Sequence, residues 1–301
     1  MKFRAPVFED APAVLAVLVA RDIADLGARD YTLEDLLDAW RATEFDLVAD
    51  ALVAVTDDAR IVGYAASTRP GTYAVVDPDH EGRGIGTRLL DWAERRDREL
   101  GRKRHRQGLP ASNERGRARV VAAGYEPSRS YWRLTCQLDE LHETDEVPTD
   151  FSLRSLDADS DAKAVHALNE ASFAGHADYR PETFISFRDE HLRAHDLDAI
   201  LSCLAEHDGD LVGFLLARRW REENVGFVDL LGVHRDHIRR GLATMILKTT
   251  FVRFAAAGLR EAQLGVASDN PRALILYERC GMTPRFTIDT YERPARSDTP
   301  A

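Results

Sequence analysis

Residues 230–247 read LLGVHRDHIRRGLATMIL, and residues 74–90 read AVVDPDHEGRGIGTRLL. Each segment starts with an apolar run typical of a buried strand, passes through a glycine-containing turn and continues with apolar residues at helical spacing. A strand that ends at such a turn and opens a helix directs free backbone N–H groups at one point, where the helix dipole adds partial positive charge. Both segments therefore predict a phosphate site. The residues small enough for a diphosphate to approach the backbone are Gly82, Gly84, Gly86, Gly241 and Ala243.

The two segments belong to an internal repeat, which indicates one folding unit built twice. Over 52 ungapped positions, 14 residues recur 157 positions later in the chain. The front parts match at an offset of 150, residues 61–64 with 211–214, so the second copy has about seven extra residues, which we place near 221–223. The recurring pairs are Val76/Val233, Asp79/Asp236, His80/His237, Arg83/Arg240, Gly84/Gly241, Thr87/Thr244, Leu90/Leu247, Arg96/Arg253, Gly101/Gly258, Gly108/Gly265, Asn113/Asn270, Arg115/Arg272, Gly124/Gly281 and Pro127/Pro284.

Length and composition agree with this duplication. A chain of 301 residues suits two domains, and 44% hydrophobic with 30% charged residues is typical of a globular protein. The net charge of −11 disfavours nucleic acid as a partner, because phosphate contacts need a basic surface, and it favours a cationic or neutral substrate. No apolar run approaches the roughly 18 residues of a membrane helix. The start, MKFRAPVFED, lacks a signal-peptide pattern. We therefore expect a cytoplasmic protein with no membrane partner.

The residues that most often bind metals do not form a convincing site. The three cysteines, Cys136, Cys203 and Cys280, are far apart and odd in number, so we expect reduced packing residues. His191 and His195 are four residues apart, which can suit zinc, but no glutamate completes a His-Glu-x-x-His pattern. We expect no metal and a solvated helix face at these histidines.

The order of predicted elements is the same in both copies. It comprises a first strand, a helix (11–24; 161–173), a hairpin (51–55 with 60–67; 200–206 with 210–218), an apolar strand (72–76; 225–233), the glycine turn with its helix, a strand (261–267), a short helix (271–280) and an alternating last strand (131–138 in the first copy). This order predicts the α/β class, as a mixed sheet built twice. We place the domains at 1–138 and 151–301, joined by the acidic linker 139–150.

A second motif follows the glycine turn in the second copy. Residues 268–282 read SDNPRALILYERCGM, about 30 residues after Arg-Gly-Leu-Ala at 240–243, and the first copy has Arg-Gly-Ile-Gly at 83–86. Together these motifs resemble the GNAT family of N-acetyltransferases over nearly the whole chain, twice. The tandem arrangement is similar to the mycothiol synthase-like two-domain acetyltransferases. A dinucleotide site is disfavoured because the glycine spacing is not Gly-x-Gly-x-x-Gly and no Walker lysine follows.

The resemblance implies acetyl-coenzyme A as co-substrate. Its diphosphate would lie on residues 239–244, and its pantetheine arm would pair with the strand that ends at Val233. The family usually has Gln or Arg where Ile238 and Glu81 stand here, and the negative charge of Glu81 predicts weaker binding in the first copy. The implied residues are Leu231, Val233, Arg239, Arg240, Gly241, Leu242, Ala243, Thr244 and Asn270 in the second copy, and Val76, Gly82, Arg83, Gly84, Ile85, Gly86 and Thr87 in the first.

Acetyl transfer to an amine requires a neutral amine, a donor for the thioester oxygen and a proton for the departing thiolate. Tyr277 occupies the position of the family's general-acid tyrosine. The oxygen donor would come from the strand near 231–233, where the family strand carries a bulge. Asp229 on the same strand is the predicted base, acting through water, although Phe227 occupies the family's usual position. Other candidates for the base are Glu222, Glu223, His234 and His237.

The first copy lacks both predicted proton carriers. The offset of 157 puts Val120 at the position of Tyr277 and Thr72 at that of Asp229. We therefore expect a non-catalytic first copy and a second copy that acetylates a primary amine of a small molecule. Two alternatives stay open: an enzyme acting on a protein or peptide amine, and a non-catalytic acyl-coenzyme A-binding regulatory protein, against which Tyr277 argues.

Overall fold

The computed structural model describes residues 1–68, 71–139, 150–175 and 179–295. The chain divides into two compact units. The first comprises Met1–Tyr131 together with the chain from Phe286 onward, and the second comprises Trp132–Arg285. Both units mix helices and strands, which confirms the predicted α/β class. Within the described ranges, no helix is long and apolar enough to cross a bilayer.

The predicted elements occur in the predicted order in both copies, and further helices that were not predicted precede each hairpin. In the first copy they are β1 Lys2–Arg4, α1 Ala11–Leu26, α2 Leu33–Arg41, α3 Leu47–Asp50, β2 Ala51–Val55, β3 Ile61–Ser67, β4 Thr72–Val76, α4 Ile85–Glu99, β5 Arg104–Pro110, α5 Glu114–Ala122 and β6 Glu126–Gln137. In the second copy they are β7 Ser152–Arg154, α6 Ala162–Phe173, α7 Phe184–Phe187, β8 Cys203–His207, β9 Asp210–Trp220, β10 Val225–Val233, α8 Leu242–Ala256, β11 Glu261–Ala267, α9 Pro271–Arg279 and β12 Thr283–Pro294.

The extra residues of the second copy lengthen a hairpin. β9 and β10 span 11 and 9 residues, whereas β3 and β4 span 7 and 5. Four residues, 221–224, separate β9 from β10, and four residues, 68–71, separate β3 from β4. The expectation that the insertion enlarges the turn is therefore wrong, because the added residues continue the strands.

The last strand of each copy does not stay with its own repeat. In the first unit, β1–β2–β3–β4 form an antiparallel sheet, and β5 pairs antiparallel with residues 288–294 of β12. In the second unit the strand order is β7–β8–β9–β10–β11, followed by residues 132–137 of β6. The predicted bounds 1–138 and 151–301 follow the repeat, and the compact units differ from them by these strand segments. The predicted linker 139–150 lies outside the described residues except at its two ends.

The sheet of the second unit has an apolar core on each face. On one face, α8 contributes the fully buried Ile246, Phe251 and Phe254. Gly226 of β10 lets the Phe254 ring approach the sheet, because a Cβ at Gly226 would overlap that ring. On the other face, α6 packs with Val165 against β8 and β9. Removing a buried phenylalanine from such a core typically costs about 3–5 kcal/mol, so these contacts hold the site's scaffold.

Candidate active site

The turn after β10 adopts a backbone that suits anion binding. Gly241, which precedes α8, has φ +79°, and Arg239 has φ +65°. The first copy repeats both angles, with φ +73° at Gly82 and +78° at Gly84. A left-handed non-glycine residue costs about 1–2 kcal/mol, and such strain concentrates at functional sites. The matching φ angles show that the two turns have the same backbone conformation.

The first turn of α8 leaves backbone donors for a ligand. Gly241 offers no side-chain cap, and the N–H of Met245 makes the first bond of the helix, to the carbonyl of Gly241. The N–H groups of Leu242, Ala243 and Thr244 precede that bond and have no intrahelical acceptor. The predicted diphosphate residues 239–244 therefore form one continuous turn and helix start. Their binding to coenzyme stays a prediction.

β10 and β11 provide the predicted place for the pantetheine arm. Their parallel ladder covers Val225–Val228 with Glu261–Leu264 and goes no further, although both strands continue. Leu231 and Val233 lie on the part of β10 that does not pair with β11. Asn270 caps α9, since its Oδ1 accepts from the N–H of Ala273 at 3.2 Å. The geometry thus leaves an open strand edge where the resemblance expects an extended ligand.

A β-bulge interrupts β10 at Asp229. Val228 pairs with Ala217 of β9 and Leu230 with Leu216, so Asp229 is an extra residue without a cross-strand partner. The bulge lies at Asp229, two residues before the expected 231–233. Pairing of β3 with β4 in the first copy shows no such shift. A bulge re-aims the groups of one strand, so β10 presents its backbone differently from β4, its counterpart in the first copy.

Tyr277 has the properties of a proton donor. It is half-buried on α9 and packs against the core of the second unit. Its hydroxyl has no hydrogen-bond partner among the described residues. Burial, with a smaller effect of Cys280, raises the pKa of Tyr277 to about 12. The phenol therefore stays protonated throughout the physiological range.

Asp229 is ionised and paired. Its carboxylate meets His191 Nδ1 at 2.7 Å and Arg218 Nη2 at 3.0 Å. Burial alone would raise the pKa of Asp229, but the charges of His191 and Arg218 outweigh it and hold the pKa well below its usual range. The solvated face expected for His191 is wrong, because this residue is buried, whereas His195 is exposed. The role of Asp229 as base stays a prediction.

The other candidates for the base lie at two places. Glu222 and Glu223 are exposed in the turn between β9 and β10. His234 and His237 begin and end the short turn after β10, and His237 lies 3.2 Å from Arg240. Burial, with the neighbouring charges, lowers the pKa of His237 below its usual value, so it is neutral at pH 7. Neither of these two turns is adjacent in sequence to the bulge at Asp229.

The first copy encloses a cavity of about 820 Å³ where its coenzyme site is predicted. The cavity is lined by residues of α1, β4, the turn before α4, α4 itself, β5 and α5. Glu81, which lines the cavity, is paired with Arg21 at 2.5 Å and Arg115 at 2.9 Å. Burial raises the pKa of Glu81, but Arg115 and Arg21 bring it below its usual value. The carboxylate predicted to oppose a diphosphate thus carries two compensating cations.

Comparison with known proteins identifies the class. The acetyltransferase (GNAT) family matches residues 162–282, and an acetyltransferase (GNAT) domain matches residues 49–122. The chain belongs to the GNAT family of acetyltransferases and contains two GNAT domains, as the resemblance predicted. The family implies acetyl-coenzyme A as the acetyl donor.

The relatives that the chain resembles include mycothiol acetyltransferases. The chain is 31% identical over 257 residues to the mycothiol acetyltransferase of Clavibacter michiganensis, covering 80% of this chain and 79% of the relative. It is 29% identical over 294 residues to that of Thermobispora bispora, covering 94% and 96%. A solved GCN5-related N-acetyltransferase from Sphaerobacter thermophilus superposes with TM-score 0.78 at 27% identity, over 98% and 96% of the chains. A tandem GNAT protein from the clavulanic acid biosynthesis pathway shares the fold, with TM-score 0.75 at 18% identity over 99% of both chains.

Proposed function

We propose that the second copy transfers acetyl from acetyl-coenzyme A to a primary amine of a small molecule, and that the first copy is non-catalytic. The observation that carries this proposal is Tyr277, a half-buried tyrosine whose hydroxyl has no hydrogen-bond partner among the described residues, in a unit whose β10 also has a bulge. The first copy has Val120 and an unbulged strand at these places. The mycothiol acetyltransferase relatives favour a small-molecule amine as acceptor.

The proposed reaction assigns a task to each group. The amine nitrogen attacks the thioester carbonyl carbon, a C–N bond forms, and the C–S bond breaks. The N–H groups of β10 beyond Val228 stabilise the oxygen as it gains charge. Tyr277 faces the departing sulfur. A phenol with a pKa near 12 is a weaker acid than a thiol near 8.5, so handing its proton to the thiolate is unfavourable by itself. Tyr277 therefore donates a hydrogen bond to the sulfur as the C–S bond breaks, and its proton moves to the sulfur as the phenolate regains one from solvent.

The amine must also lose a proton. Asp229 is the proposed acceptor, acting through water. Because two cations depress its pKa, it is a weak base and passes the proton on to solvent rather than keeping it. Solvent gains the proton lost by the amine and returns one to Tyr277, so the reaction releases the N-acetylated product and the free thiol with no net change at the enzyme.

Thiol release from acetyl-coenzyme A with a panel of amines tests the proposal. The panel comprises aminoglycosides, polyamines, amino acids, aminosugar thiols and short peptides. We expect at least one small amine to be consumed in preference to peptides. Preference for peptides would favour the protein-acetylating alternative, and coenzyme binding without turnover of any amine would favour the regulatory alternative.

Tyr277→Phe tests the acid directly. The ring and its packing stay, so coenzyme affinity should be unchanged while turnover falls by roughly 10²–10⁴-fold. Tyr125→Phe is the matched control, because Tyr125 is a buried tyrosine of the first unit whose hydroxyl donates to Glu94 at 3.0 Å. Normal turnover in Tyr277→Phe would remove the proposed acid. Weakened coenzyme affinity with normal turnover at saturation would make Tyr277 a binding residue.

A further inference from the structure

Asp229 is the centre of a buried ion-pair cluster in the second unit. His191 Nδ1 and Arg218 Nη2 approach the same carboxylate oxygen, Oδ2, at 2.7 and 3.0 Å. The side chains are 9% exposed for His191, 13% for Asp229 and 16% for Arg218. His191 belongs to a π-helical turn, Arg188–Leu192, and Arg218 belongs to β9. The cluster therefore connects the bulge to two different elements.

Both cations are themselves anchored by further contacts. Arg218 donates to the carbonyl of Glu190 at 2.8 Å and to Asp196 Oδ1 at 3.1 Å. The second ring nitrogen of His191, Nε2, lies 3.7 Å from a carboxylate oxygen of Glu182. Neither cation can turn away from Asp229 without losing another favourable contact. The position of the bulge carboxylate is consequently determined from two directions.

A buried ion-pair cluster contributes little net stability, because burying its charges is unfavourable. Taking charges out of water carries a large desolvation penalty, and apolar replacements of buried ion pairs are often equally stable. Here the cluster surrounds the one residue of β10 that has no partner on β9, directly after the ladder with β11 ends. Single π-helical turns such as Arg188–Leu192 occur frequently at functional sites. The placement indicates control of strand geometry.

We propose that His191 and Arg218 are positioning residues for acetyl transfer, which act by holding Asp229 and thereby the bulge of β10. A fixed bulge keeps the N–H groups beyond Val228 aimed at the place where the thioester oxygen gains charge. A preorganised donor of this kind costs no rearrangement during the reaction. This inference rests on the proposed function, and it assigns two residues outside the family motifs to the reaction.

Steady-state kinetics combined with coenzyme titration tests the positioning role. In His191→Gln and Arg218→Gln, kcat should fall by roughly 10- to 100-fold, somewhat less than the loss of a whole oxyanion donor. The coenzyme Kd should stay within about twofold, because the phosphate turn at 239–244 is a separate segment. Arg218→Lys keeps the charge and should recover part of the lost kcat.

The first unit offers a matched control cluster. His105 Nδ1 lies 3.1 Å from Asp97 Oδ2, and Arg102 Nη1 lies 2.7 Å from Asp97 Oδ1. His105 and Asp97 are almost fully buried, and no bulge residue takes part. His105→Gln should therefore lower the melting temperature like His191→Gln but leave kcat unchanged. A normal kcat in His191→Gln, or an equal loss of kcat in His105→Gln, would overturn the positioning role.

Hydrolysis of acetyl-coenzyme A in the absence of amine separates this inference from the proposed acceptor. Water attacks the same carbonyl and generates the same charged oxygen, so His191→Gln should also slow hydrolysis. If no amine is acetylated but hydrolysis falls in His191→Gln, the acceptor assignment fails and the positioning role stands. If hydrolysis by the wild-type chain equals that by His191→Gln, the positioning role fails whatever the acceptor.

Discussion

Gly241→Glu tests the phosphate turn because the protein without coenzyme should tolerate this substitution. Gly241 has φ +79°, and a Cβ built there meets no atom within 4 Å. The folded chain therefore loses about 1–2 kcal/mol from the left-handed backbone and nothing from a steric clash. The variant should fold, with a lower melting temperature.

The cost to coenzyme binding should be larger and of a different origin. A carboxylate about 4 Å from a phosphate charge is repelled by about 4 kcal/mol at the effective dielectric constant of a protein surface. Solvent exposure at the turn reduces this figure, so we expect a loss of about 2–4 kcal/mol. Since 1.4 kcal/mol corresponds to a factor of ten, the Kd should rise roughly 30- to 1,000-fold.

Calorimetric titration with acetyl-coenzyme A measures this loss against two controls. Gly258→Glu, just after α8, has φ +81° and equally open space, so it carries the same backbone cost without facing the ligand. Gly84→Glu, with φ +78°, makes the corresponding change in the first copy and separates the two sites. Equal Kd values for Gly241→Glu and Gly258→Glu would refute the phosphate site. If Gly241→Glu failed to fold while Gly258→Glu folded, the estimate that both variants carry the same backbone strain would be refuted.

Three further outcomes follow from the same geometry. Val120→Tyr should not raise turnover, because the β3–β4 pairing of the first copy has no bulge and Thr72 stands at the position of Asp229. A steady-state rate above wild type would contradict this. Glu81→Gln should strengthen any binding of acetyl-coenzyme A by the first copy, measured by titration of the full chain, because a negative charge is removed and Arg115 loses its carboxylate partner, while Arg21 keeps only Asp25. Unchanged binding there would be contrary evidence. The pair of His191 with Asp229 should stabilise the fold most between about pH 4 and 6.5, since the pKa of His191 is raised to about 10 from 6.5 and that of Asp229 is lowered to about 2 from 3.8. The contribution is lost as pH rises through 10 or falls through 2, so the difference in melting temperature between wild type and His191→Gln should shrink from pH 6.5 to 10.

Much of the fold could be predicted because local patterns determine it. The strands 225–233 and 261–267 occur where their apolar runs predicted them. β8 begins later than expected, at Cys203, because Ser202 Oγ bonds to the carbonyl of Asp198 and closes a turn. The pairing of the last strands could not be predicted. The alternation of side chains in residues 286–294 suits a sheet in either unit, and the strand with which they pair is far away in sequence.

The site shows a similar division between local and non-local information. Sequence alternation puts Asp229, Leu231 and Val233 on one face of β10, but the bulge reverses the phase after Asp229. Leu230 packs towards α6, whereas Leu231 and Val233 pack into the core shared with α8. His191 was missed as a partner of Asp229 because 38 residues separate them and the turn that carries His191 has no apolar period.

Because the last strand of the second copy pairs in the first unit, the first unit can be completed only late in translation. The first unit needs residues 286–294 beside β5, yet the ribosome makes them roughly 150 residues after the rest of that unit. At about 5–20 residues per second, the edge of β5 waits on the order of ten to thirty seconds for its partner. An exposed strand edge is a template for pairing with other chains. The nascent chain is therefore most prone to aggregate while its second half is being translated, and a stop codon shortly before residue 286 would leave the N-terminal fold unfinished.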